Sequence, residues 1–317
     1  MLCVLFFADA SAPLRAQTRP ILLIGPWKEG DHWADTFDEL LFFRRGSARS
    51  GGRRDGVETF YWVSIGKVKF PRDDPDPNFY LGYEILTLDS SSTNGLIEGQ
   101  LNDVALVGAW KVGKISDEWE LSLIGGAGTA NDGRWSNEDG IYGAGTIDFS
   151  KQTSDNSRLH LGIYYDGNQS TFPDIPLPHI AFRQELLGGL EHIVGLPDTK
   201  VVMKPFKDVT IQLAYNFPLE AEAYAAVELF GGLSLFAEYE RDLDGFYIDQ
   251  MDNRRVFLGI DRVTMGLRWI TRFFDASIGV GHTLDHSYRV GLDIRDANTR
   301  ADLTDEFYLT FVLQGTL

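Results

Sequence analysis

Between residues 101 and 165 the sequence repeats one plan four times, an alternating stretch followed by a polar turn, and this pattern limits the possible folds more than any other feature. In the second repeat Trp119, Leu121 and Leu123 take one face, and Glu118, Glu120 and Ser122 take the other. In the third, Ile141, Ile147 and Phe149 oppose Tyr142, Thr146 and Asp148; in the fourth, Leu159, Leu161, Ile163 and Tyr165 oppose Arg158, His160 and Gly162. Successive side chains of a strand point to opposite faces, so each segment has one apolar face and one polar or small face. The connections alternate as well. Residues 114–117 and 152–157 are tight, whereas 129–139 and 166–176 are longer and rich in Asp, Asn and Gly. Strands of about ten residues, with short turns at one end and longer loops at the other, are the pattern of a transmembrane β-barrel.

A soluble β-sandwich binding module also alternates. Three features favour the barrel: strands longer than the usual five to six residues or so, a non-apolar face of Gly, Ser, Thr and charge, and aromatics at strand ends (Trp110, Trp119, Trp135, Trp269) where interfacial girdles lie. The 317 residues contain no apolar run near the roughly 20 residues of a membrane helix, so a bilayer is crossed only by a closed barrel. The net charge of −17 argues against nucleic acid, which rewards Lys and Arg clusters. The lone Cys3 excludes an internal disulfide framework. No cofactor is expected.

Residues 1–17 read as a signal-peptide remnant, with an apolar stretch at Leu2–Ala8 and small residues near Ala10 and Ala16. Residues 18–56 read as an N-terminal linker with a short amphipathic helix over 31–43, where Trp33, Phe37, Leu40 and Leu41 share a side, followed by Arg44, Arg45, Arg49, Arg53 and Arg54. Residues 57–317 read as the barrel. Thirteen strand candidates follow residue 57, and an even number is required. Setting aside the proline-bracketed piece at 179–182, and taking 186–207 as a loop with helix at 186–194, gives an all-β, up-and-down antiparallel barrel of about 12 strands (12 or 14). Gly231-Gly232 predicts a tight hairpin turn. In the final strand Phe307, Leu309, Phe311, Leu313, Gly315 and Leu317 share one face. Lipid is expected to meet Leu121, Leu123, Leu159, Leu161, Ile163, Val227, Leu229, Leu309, Phe311 and Leu313, and the lumen to receive Glu120 and His160.

Several pieces carry a resemblance to a porin-like bacterial outer-membrane β-barrel family known only as a domain of unknown function. They are Leu81-Gly82-Tyr83-Glu84, Ser116-Asp117-Glu118-Trp119-Glu120-Leu121, Gly125-Gly126-Ala127-Gly128, Ile175-Pro176-Leu177-Pro178 and the strand at 259–269. The resemblance spans about residues 57–317. It implies the fold and a bacterial outer-membrane location, and it supplies no catalytic residues. The expected partners are membrane lipid and lipopolysaccharide, together with the insertion machinery that reads the terminal strand. The acidic stretches Asp73, Asp74, Asp76 and Asp302, Asp305, Glu306 have the chemistry to hold cations that bridge lipopolysaccharide, but solvated loop charge is the favoured reading.

Chemistry-bearing residues are few. His282, Asp285, His286 and Ser287 contain the types needed for a serine nucleophile, its base and an orienting acid, which defines the alternative of a lipid-modifying hydrolase with a rim active site. Asp285 with either histidine lacks a second ligand pair, so no metal site is read there. Gly140, Gly143 and Gly145 imitate phosphate-loop spacing, but no helix follows. Glu222, Glu228, Glu238 and Glu240 on neighbouring strands predict a negative band in the lumen, opposed by Arg241, Arg255, Arg262 and Arg268. The functional expectation is a passive pore or a structural barrel.

Overall fold

The computed structural model of the protein describes residues 34–316 apart from 44–45, 51, 73–77, 93–98, 134–137, 187–189, 218, 249–253, 272–273 and 305. The expected signal segment, Trp135 and Asp73, Asp74 and Asp76 lie outside the described residues. Apart from one 3-10 turn (Glu138–Gly140), the regular structure described is strand. The first half comprises β1 (Ala34–Phe43), β2 (Gly46–Ser50), β3 (Arg53–Phe70), β4 (Phe79–Ser92), β5 (Gln100–Lys114), β6 (Trp119–Asn131), β7 (Ile141–Ser154), β8 (Ser157–Asp166) and β9 (Leu177–Leu186). The second comprises β10 (Leu190–Leu196), β11 (Asp198–Phe206), β12 (Val209–Asn216), β13 (Glu220–Phe230), β14 (Leu233–Tyr247), β15 (Arg255–Ile270), β16 (Phe274–Gly291), β17 (Asn298–Leu303) and β18 (Phe307–Thr316).

Neighbouring strands pair antiparallel all the way round, and β1 pairs with both β3 and β18, which closes the sheet into a barrel. A closed ring has no free edges, which rules out the sandwich. Two of the eighteen segments continue another: β2 extends β1 along β3, and β17 extends β18 along β16. The barrel therefore has sixteen staves, which corrects the expectation of about 12 (12 or 14).

The four additional staves are β1, β10 and β11, together with β9, in which the piece at 179–182 is a crossing. In β1, Phe37, Leu41 and Phe43 point inward while Leu40 and Phe42 sit on the opposite face. A run that is apolar on both faces also fits one side of a helix, and tertiary pairing decides for the strand. In β10 the alternation reverses: His192 lies outward beside Phe182 while Ile193 points inward. Gly195 and Pro197 there mark a tight turn between two strands rather than a loop. With sixteen staves the parity is right. The described ends of the barrel, Ala34 and Thr316, lie at the end that carries the short connections 115–118, 155–156, 207–208 and 231–232. The longer connections 132–140, 167–176, 248–254 and 292–297 lie at the other end; the exceptions are 71–78, long at the first end, and 197 and 217–219, short at the second. Gly231 and Gly232 both have positive φ (56° and 81°), as the tight hairpin requires.

The outer face is apolar through its middle. Val263, Met265, Leu267, Ile278, Val280, Leu309, Phe311 and Leu313 are all exposed, as are Leu161, Ile163, Val227 and Leu229. So continuous a belt is far larger than the apolar patch a soluble monomer leaves in water, and hydrocarbon is the solvent it fits. Phe70, Phe79, Trp110, Phe206, Phe230 and Trp269 ring the short-turn end, where an interfacial girdle belongs.

Candidate functional site: the inner wall of the barrel

The inner wall differs on its two sides. Around β1–β7 and β14–β18 the loop-end half carries inward apolar groups, including Leu41, Tyr61, Leu88, Leu101, Phe246, Val256, Leu258, Ile260 and Tyr288, which pack into one core. Tyr247 of β14 bridges to Asn131 of β6, and these staves are eight apart on a ring of sixteen. They are diametrically opposite, so the loop-end mouth is pinched across its width. Tyr61 on β3 reinforces the pinch by donating to Asp244 on β14 (3.2 Å). The wall from β7 to β13 is polar instead, with Asp148, His160, His179, Gln212, Glu222 and Tyr224 on the inward parity.

Loop 167–176 turns into this mouth, burying Asn168, Gln169, Ser170 and Thr171. Arg255, fully buried on β15, holds it. The guanidinium donates to the Asn168 carbonyl (2.6 Å), the Gln169 carbonyl (2.8 Å) and Asn168 Oδ1 (2.5 Å). Asn168 passes the connection on, donating from Nδ2 to Asp103 (2.8 Å) and from its backbone N–H to Asp166 (2.8 Å). Tyr142 also donates to Asp103 (2.6 Å). A buried cation is tolerated here because two carboxylates and three acceptors surround it. Gly245 leaves the room, since a Cβ there would lie 2.2 Å from Arg255 Nη2. Phe172 adopts φ 58°, a strained conformation for a bulky residue, and Arg295 from loop 292–297 stacks over its ring at 4.0 Å. Asp293 pairs with Arg295; burial would raise its carboxyl, but hydrogen bonds from the Arg295 side chain and backbone hold it below the ordinary value.

The four lumen glutamates are placed differently from one another. Glu240 pairs with buried Arg262 (2.5 Å), which also reaches Asp242 (3.4 Å) and Glu39 (3.7 Å). Glu222 is buried and accepts from Gln212 (2.5 Å). Glu238 shares the inward parity of Glu240, whereas Glu228 is exposed at the hairpin turn. Arg268 pairs inward with Asp275 and Tyr224, and Arg241 pairs on the outer face with Asp261 (3.4 Å).

The candidate hydrolase residues are not assembled. Opposite Asp261 and Arg262 of β15 the register skips Leu284, a bulge in β16 that changes the parity of that strand. His282 packs outward against Phe307 (4.7 Å) and Asp285 is exposed opposite Asp261, while His286 points inward against Phe43 (5.7 Å). Ser287 Oγ and His286 Nδ1 have no hydrogen-bond partner among the described residues, so nucleophile and base are not engaged. Of the acidic stretch near the chain end, Asp302 lies in β17 and Glu306 is buried.

A grouping the sequence did not reveal lies on the polar wall. Asp148 (β7) and His179 (β9) flank Gly162 of β8 in the register, with His160 beside them. His160 Nδ1 is 3.0 Å from Asp148 Oδ2, and His179 Nε2 is 3.6 Å from Asp148 Oδ1. Parity alone puts Asp148 and His160 inward; His179 joins them only once β9 is a crossing.

The closed sheet, the apolar belt and the contrast between short-turn and long-loop ends define a membrane-spanning β-barrel of the bacterial outer-membrane type. The sequence matches no protein family and no curated protein. In structure the chain is similar to a bacterial polysaccharide outer membrane secretin (9% identity, 91% of this chain and 99% of that one, TM-score 0.40). It is also similar to an outer membrane channel from Pseudomonas putida F1 (11%, 92% and 99%, 0.35) and to the toluene transporter of Ralstonia pickettii (8%, 90% and 90%, 0.34).

Proposed function

We propose that the protein is a passive outer-membrane pore whose path follows the polar wall from β7 to β13, narrowed at the loop end by loop 167–176. The stave count carries this reading: barrels of about 16–18 strands enclose an aqueous channel, whereas about eight strands enclose only side chains. On the inward parity of β7–β14, Asp148, Glu191, Asp198, Glu220, Glu222, Glu238, Glu240 and Asp242 face Arg158, Arg183, Lys200 and Lys204. The excess of acid favours cations.

The apolar core across the loop-end mouth supports a second reading, a closed structural barrel. Planar-bilayer conductance of the refolded protein separates the two. The pore gives discrete, cation-preferring steps in the native chain or, if the resting mouth is shut, in Arg255→Ala. A barrel silent in both forms is structural.

A further inference from the structure

We infer that Asp148, His160 and His179 form a binding site for a divalent first-row transition ion, with zinc as its natural probe, on the inner wall at mid-height of β7–β9. The donor set is the first argument. Two imidazoles and one carboxylate suit zinc, copper or nickel, whereas calcium and magnesium take all-oxygen sites.

Geometry is the second argument. One ligand atom from each residue lies within 4.8 Å of the other two. Donors about 2.0–2.2 Å from a tetrahedral zinc stand roughly 3.3–3.5 Å apart. The contacts of 3.0 and 3.6 Å end on the two different oxygens of Asp148, so rotation of that carboxylate brings one oxygen towards both imidazoles. The three donors come from adjacent paired strands, whose ladder fixes their spacing. His160 is half-buried, and the bore beside it leaves the fourth position to water, as in zinc sites with three protein ligands.

Unmet polar demand is the third. Asp148 is only 3% exposed, and its Oδ1, which faces His179 Nε2 at 3.6 Å, has no hydrogen-bond partner among the described residues. A buried polar atom without a partner costs about 1–3 kcal/mol, so a carboxylate oxygen left facing an imidazole nitrogen in this way calls for an occupant. Asp198, on the far side of β10, acts on His179 electrostatically and adds negative charge that favours a dication. On binding, the proton between His160 Nδ1 and Asp148 moves to Nε2 or to solvent, which frees both lone pairs for the ion.

The inference does not depend on conduction, because binding is read at equilibrium. The full chain, refolded in detergent without a polyhistidine tag, is titrated with zinc chloride by calorimetry and with cobalt(II) by visible absorption. The expected result is one ion per chain and the intense bands of four-coordinate cobalt. His179→Ala and Asp148→Asn should weaken binding by more than about 100-fold, beyond the 10–100-fold typical of losing an outer-shell partner. His282→Ala, on the outer face, should bind as the native protein does. His160→Gln, checked for folding by heat-modifiable gel migration, gives the same reading if His179→Ala does not fold. Absence of a binding isotherm in the native chain, or one that survives in His160→Gln combined with His179→Ala, overturns the proposal.

Discussion

Replacing Arg255 with alanine tests how loop 167–176 is held. The substitution removes three hydrogen bonds at 2.5–2.8 Å and leaves Asp103 and Asp166 buried without their cation. Hydrogen bonds to charged groups are worth about 1.5–3 kcal/mol each, but contacts sharing one guanidinium are not additive. The acceptors are neutral oxygens, and Asp103 and Asp166 act on the guanidinium only at longer range, so the expected magnitude for releasing the loop is about 1.5–3 kcal/mol. At about 1.4 kcal/mol per tenfold, the released population rises about 10- to 100-fold. Limited proteolysis in micelles, with cleavage mapped to 167–176, reads the change directly. Arg255→Lys keeps the charge but not the planar fork, so it should fall between the native chain and Arg255→Ala. Gly245→Ala pushes a Cβ into the space of Nη2 and should act in the same direction with the guanidinium intact. If Arg255→Ala shows native protease resistance at the loop while the barrel remains folded, the loop is held by something else and the reasoning fails.

Three further outcomes are expected. Leu123→Arg puts a cation on the lipid face at a cost of about 2–4 kcal/mol and should lower the folded fraction in vesicles, whereas Ser122→Arg, inward and opposite Asp148, should fold nearly as well as the native chain. Arg262→Ala strands Glu39, Glu240 and Asp242 around an emptied centre and should lower the urea midpoint by an amount equivalent to about 3–5 kcal/mol. Gly281→Ala drives a Cβ to 2.2 Å from the Tyr308 ring and breaks its hydrogen bond with Thr264 (2.5 Å); overpacking of this kind costs about 1–3 kcal/mol, read in the same denaturation.

The sequence makes the barrel legible where one face is consistently apolar. β6, β7, β8, β13 and β18 carry that signal, because lipid accepts only one class of side chain and the lumen takes the rest. It fades in β1, where Leu40–Phe43 is apolar on both faces because the inner face packs into the loop-end core. It reverses in β10, where His192 faces outward and Ile193 inward. The position of the buried core was not readable, since inward apolar groups interrupt the pattern that marks a lumen. Glu240 and Arg262 could be placed on facing strands from parity, but the convergence of Asp242 and Glu39 on one guanidinium needs the register across β1. Arg255 read only as a generic counter-charge, because its partners are loop atoms that alternation does not position.

Almost every pairing in the sheet joins staves that follow one another; apart from the single β14–β6 bridge, the exception is the β1–β18 seam with its β2–β17 continuation. Until Phe43 meets Tyr308 and Asp35 meets Thr316, the sheet has two raw edges of unpaired N–H and C=O groups. In hydrocarbon each unmatched group costs several kcal/mol, and in water such edges recruit other chains. Hairpins can therefore form one by one, but entry into the bilayer cannot proceed strand by strand at equilibrium. The final strand is therefore expected to act as a timing element, with membrane insertion waiting on the most distant contact in the chain. A lesion confined to that seam should delay assembly and increase aggregation far more than its local loss of packing suggests.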